Sequence, residues 1–258
     1  MSRSVHIQET VILHANDVVF WLDGTSAEAT ADMQRLNLPL RIDLTSAPRD
    51  VSLVNTRGKT AFLRRPTNPV VNGTATENDK KIPVTPTFAI AGVVSDPTDR
   101  IVPQAFSFNA GNAAGHTVTL YPTPVGARFG NGGGLTGSLR LQPANTALPW
   151  AILSLAVTTA VGTTLTFKGQ TNRNGDFSLP LNRLPPLPKG VNHYHAQLSI
   201  NGMSNANPDI PLNPDNFVAM QVGSLTANSF SLSVGLTIVP GEMRVIRSFN
   251  RDHLAVQP

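Results

Sequence analysis

Few residues in this chain have the types and spacing that chemistry needs. Of 258 residues six are His and none is Cys, which excludes thiolate metal sites, cysteine nucleophiles and disulfides. Only His193-Tyr194-His195 sets two imidazoles close together. On a strand this spacing puts both rings on one face, where one nearby carboxylate would complete a zinc site. The same pair also suits a solvated or interface surface, with Tyr194, Ala196 and Leu198 facing inward. A serine nucleophile would need a Gly-x-Ser-x-Gly elbow between strand and helix, and the chain has none. Paired carboxylates for glycoside hydrolysis are not excluded by counting, because any two of 16 acidic residues can meet in space. Two Trp and two Tyr offer few platforms for stacking a sugar. The expectation is a protein without a catalytic set, cofactor or metal.

The formal net charge is +4, but the basic residues do not cluster. Arg64-Arg65 and Lys80-Lys81 are the only short groupings, and no basic stripe alternates with exposed aromatics, so no nucleic-acid partner is expected. No apolar run approaches the ~20 residues of a membrane-spanning helix. Gln8 and Glu9 stand where a secretory signal would place its apolar stretch, so cytoplasmic folding without a signal peptide is expected.

The elements that would position any site are strands. Twenty Gly and 21 Pro punctuate the chain, and the apolar residues between them alternate with period two. In Phe230-Ser-Leu-Ser-Val-Gly-Leu-Thr-Ile238, five apolar residues share one face. Similar patterns predict strands at 5–13, 18–22, 40–44, 51–54, 60–63, 88–94, 105–108, 117–121, 138–141, 151–157, 163–167, 176–179, 195–200, 218–222 and 243–246. One short helix of about three turns is predicted over 26–36, capped by Ser26 and rich in Ala, with Ala29, Met33 and Leu36 on one side. The fold class is therefore all-β, with two or more antiparallel β-sandwich modules of immunoglobulin or transthyretin-like type. Composition divides it into an N-terminal β domain (1–65), a proline-punctuated linker (66–86), a β connector (87–134) and a β-sandwich with C-terminal strands and tail (135–258). The glycines of 126–137 read as a hinge or broad turn passing close to another surface; a phosphate loop does not fit, because no Gly-Lys-Ser/Thr ending or helix follows. A weak internal echo relates 96–108 to 142–155, which is either a duplication or two hairpins with the same turn chemistry.

From 135 to 200 the chain resembles the carboxypeptidase-regulatory-like, or transthyretin-like, β-sandwich module. Gly137-Ser-Leu-Arg-Leu141 is similar to its opening strand, and Ala151-Ile-Leu-Ser-Leu-Ala-Val157 to its second, with Ala151, Leu153 and Leu155 inward. Thr171-Asn-Arg-Asn-Gly-Asp-Phe-Ser-Leu179 resembles its Gly-x-Phe-x-Leu hairpin, in which Gly175 suits a turn with positive φ while Phe177 and Leu179 plug the core. Such modules accompany catalytic domains and are not themselves catalysts. More loosely, 92–108 with 118–124 resemble segments of structural proteins from contractile phage-tail-like injection systems, and 53–63 is similar to an Arg-x-Gly hairpin in their first domain. That resemblance implies a subunit of a large particle, a cap, collar or baseplate attachment. Its partners would be other structural subunits and further copies of itself. The alternative is a free-standing adhesin or carbohydrate-binding module.

Residues expected at a partner surface follow from the same reading. Trp150 is out of phase with the inward face of its strand, so it is either an exposed anchor or a cover on the edge of its own sandwich. Phe20-Trp21-Leu22 reads as core. The tail after 244 ends in apolar residues, and Phe249, Leu254 and Val256 are expected to dock on a neighbour.

Overall fold

The computed structural model describes residues 15–64 and 87–258. The predicted strand at 5–13 and the linker 66–86 lie outside them. Among the described residues the chain is almost wholly β, arranged as two small sheets over one core and an eleven-stranded sheet curled into a half-barrel over a second.

The first unit contains β1 (Ala15–Asp23), β2 (Arg41–Ser46), β3 (Val51–Thr56), β4 (Lys59–Arg64), β5 (Phe88–Ser95), β6 (Gln104–Ala110) and β7 (Gly115–Leu120). One sheet runs β3-β4-β1-β7 and the other β2-β5-β6. The segments that composition separates into a first domain and a connector thus share sheets: β2 pairs with β5, and β1 with β7. They also share one core, in which Val19, Trp21 and Phe62 meet Ile90, Phe106 and Leu120. Trp21 stacks edge-on against Phe106 at 5.5 Å and places its indole N–H on the Thr60 hydroxyl at 2.9 Å, so its one polar atom is satisfied in the interior.

The half-barrel contains β8 (Gly134–Leu141), β9 (Thr146–Ala147), β10 (Ile152–Thr158), β11 (Thr164–Gln170), β12 (Asp176–Pro180), β13 (Tyr194–Gly202), β14 (Val218–Gly223), β15 (Phe230–Ser231), β16 (Ser233–Ile238), β17 (Met243–Val245) and β18 (Leu254–Gln257). Its main path is β11-β10-β13-β14-β18-β8-β12. Ala151, Leu153, Leu155 and Val157 are buried and alternate with half-exposed residues, the inward face the sequence predicts. Gly175 has φ +79°, and a Cβ there would lie 2.6 Å from the Leu139 carbonyl oxygen, so the hairpin requires glycine. Phe177 and Leu179 follow it into the core. Gly137 lets the Phe177 ring approach to 3.1 Å of where its Cβ would stand.

Four expectations are corrected. The sheets are not purely antiparallel: β7 runs parallel to β1, and both β17 and β18 run parallel to β8. No α-helix forms at 26–36, where the described backbone makes only a 3-10 turn at Thr30–Asp32. Asp23 Oδ1 accepts from the Thr25 N–H and hydroxyl at 2.9 and 2.7 Å, Ser26 Oγ accepts from Gln34 N at 2.9 Å, and Leu36 N donates to Trp21 O. These bonds pull the segment back along β1, and a helix this short has too little intrinsic stability to compete. The pattern of 230–238 is broken at Leu232, which is exposed, because β15 joins β14 while β16 joins β13. The C-terminal tail is interior: β18 lies between β14 and β8, with Leu254, Ala255 and Val256 fully buried.

Candidate functional site

The two units meet along an open cleft of about 680 Å³. One wall is formed by β6 and β7, consecutive strands that belong to different sheets. The other wall is the outer face of the half-barrel, where Ser154 on β10, Lys168 on β11 and Asn201 on β13 point away from the core. Strand periodicity dictates this: Leu153, Phe167 and Ile200 are the buried neighbours of those residues. The cleft is bounded by two bridges between the units. Glu28, in the segment that does not become a helix, accepts from Thr166 N at 3.2 Å. Ala105 N on β6 donates to Leu212 O at 3.3 Å.

A buried carboxylate organises the β6–β7 wall. Asp17 accepts from Gly111 N and from Ala114 N, fixing the β6–β7 turn, and His116 Nε2 lies 3.1 Å from its Oδ1. The imidazole is sandwiched further by Phe108, at 4.0 Å between ring centres, and Phe108 stacks on Phe106. Beside them Tyr121 has its phenol pushed up to about 12 by burial and by the Asp23 charge, so it stays neutral. Gln104, at the start of β6, is 6% exposed and borders the cleft, and its Oε1 has no hydrogen-bond partner among the described residues. At the lip, Asn213 caps the 3-10 turn Pro214–Asn216 by accepting from Asp215 N at 3.2 Å, and Phe217 is half-buried just beyond.

Asp17–His116 is the kind of pair that orients an imidazole, and among the described residues no hydroxyl is hydrogen-bonded to the ring. Sequence patterning alone did not single out His116, whose partner Asp17 lies 99 residues away, or Gln104, which borders the cleft only once the two units are brought together.

The residues predicted from sequence fall elsewhere. His193 and His195 are exposed on one face of the strand, with ring centres 4.9 Å apart, and Tyr194, Ala196 and Leu198 are buried opposite. Among the described residues no three His, Asp or Glu gather as a metal would require. His6 and Glu9, which have the His-x-x-Glu spacing of a metal pair, lie outside the described residues. Trp150 is buried, with its N–H on Asn207 O at 2.9 Å and its carbonyl accepting from Gln170 Nε2. It covers its own module and offers no anchor. Leu254 and Val256 have no surface to present, and only Phe249 is exposed. The glycine-rich segment does pass close to other backbone: a Cβ at Gly126 would stand 1.9 Å from Arg100 O, and one at Gly132 1.8 Å from Leu181 O. Comparison with protein-family models, curated proteins and solved structures returns no match.

Proposed function

We propose that this chain is a non-enzymatic structural subunit of a phage-tail-like contractile particle, a cap, collar or baseplate attachment. Its β modules, of immunoglobulin or transthyretin-like sandwich type, dock on neighbouring subunits that include copies of itself. It assembles in the cytoplasm of the producing cell. One observation carries this reading: strands at the margins of the sheets present apolar side chains to solvent. Among the described residues β17 pairs with β8 alone and holds Met243 and Val245 51% and 68% exposed, and β3, the end strand of its sheet, holds Val54 47% exposed. Unpaired strand edges with apolar flanks are sites where another chain can add, and repetition around a symmetric particle multiplies a weak contact. The double variant Met243→Lys with Val245→Lys tests it. Both side chains point to solvent, so the fold should survive while incorporation into particles is lost. Unchanged incorporation would remove this edge from the account.

A second reading, saccharide binding, is favoured by one observation, the cleft between the units with its unpaired buried acceptor.

A further inference from the structure

Three buried side-chain atoms lack a partner among the described residues: Gln104 Oε1, Gln170 Oε1 and Arg183 Nε. Only Gln104 borders the cleft. A buried carbonyl without a donor costs about 1–3 kcal/mol, and such a group beside an open cleft is a natural contact for a ligand O–H or N–H. His116, whose Nε2 is engaged by Asp17, adds a second polar side chain to the same wall. Across the cleft Lys168 and Asn201 supply donors from the half-barrel, and the half-buried Phe217 lines the lip.

We propose that this cleft binds a neutral saccharide, deepening the second reading above and holding whether or not the chain belongs to a particle. The ligand class follows from four features of the walls. The acceptors and donors come from β6, β7, β11 and β13, so the ligand must present hydroxyls in several directions, each able to donate and accept. Lys168 and Asp215 offset one another in charge, whereas a phosphate or other anion calls for an excess of Arg and Lys. The volume of about 680 Å³ falls within the range of small-molecule sites, about 300–1,000 Å³. The hydrogen bonds Glu28–Thr166 and Ala105–Leu212 tie one unit to the other, which suits a compact ligand held between fixed walls.

A polypeptide strand is the competing occupant. Val18 N donates to Ala114 O, so by the two-residue alternation of a strand the backbone groups of Gly115, Thr117 and Thr119 face away from β1 and into the cleft. A strand added there would use those three positions and leave Lys168 and Asn201 with no role.

The test is titration calorimetry of the full chain with cellobiose, maltotriose, lactose and chitobiose, repeated on Gln104→Leu and Phe217→Ala. The expected result is saturable binding of at least one sugar, weakened about tenfold or more by either substitution. Gln104→Leu should also raise the thermal midpoint, since it removes an unpaired buried carbonyl, which separates lost binding from lost folding. Absence of binding by all four sugars would overturn the proposal, as would binding that Gln104→Leu leaves unchanged. Amide shifts along β7 produced by a Thr-Val hexapeptide repeat, with none from the sugars, would assign the cleft to strand docking instead. Sedimentation with particles bears only on the assembly reading, so the two can fail separately.

Discussion

Asp96 shows how much one side chain can hold at the junction of the two units. Burial works against its charge, but the Arg100 guanidinium at 2.8 Å, the N–H groups of Thr98 and Arg100 and the Thr98 hydroxyl outweigh it and keep the carboxyl at about 2, below its ordinary 3.8. A carboxylate whose folded pKa is depressed adds stability that is present above its unfolded pKa and is lost as pH falls toward the folded value. Asp96 should therefore contribute about 2 kcal/mol at neutral pH, disappearing between about pH 4 and pH 2. Urea unfolding across that range should show the loss in the native chain and a flattened acid limb in Asp96→Asn, whose stability at pH 7 should fall by a similar amount. The turn also presents Arg100 O to Thr123 N at 2.9 Å, and Gly126 packs against that same carbonyl. Gly126→Ala forces two backbones apart and should cost about 1–3 kcal/mol by thermal unfolding. At this scale the sequence was informative where a residue type answers a local need, as at Gly175, Phe177 and Leu179. It was silent on Asp17, Gln104 and His116, whose roles come from chain crossings.

Strands were legible because one wet face and one packed face produce a period of two, as along 151–157. β18 was not, because Leu254, Ala255 and Val256 are all buried, as in any strand covered on both faces. A run of three apolar residues near a terminus reads equally well as a sticky tail. The helix at 26–36 failed for the opposite reason: its composition favours helix, but Asp23 and Ser26 spend their side chains on a turn and Leu36 is held against Trp21. β18 connects β14 to β8 in the half-barrel, so Leu254→Ala should cost about 2–5 kcal/mol. Deleting 249–258 should unfold that unit, seen as loss of cooperative thermal unfolding. A deletion that folds normally would contradict the interior placement of the tail.

The whole molecule consists of two cores held against one another by Glu28–Thr166, Ala105–Leu212 and the tight turn from Arg100 to Gly126. The Glu28 carboxyl is held below its ordinary value chiefly by the Thr166 N–H, so the charged form favours contact between the units. Division of the chain by composition placed a boundary between 65 and 87, whereas β1, β2, β5 and β7 weave the flanking segments into shared sheets. Composition reports local flexibility and charge, and cannot report which distant strands pair. The central claim concerns what this body attaches to. Tagging the full chain in its producing cells and sedimenting the lysate measures that directly. The account predicts co-migration with fast-sedimenting particles, lost in the Met243→Lys, Val245→Lys variant. A slow peak at the size of a monomer or small oligomer, with no particle-associated fraction, would contradict it.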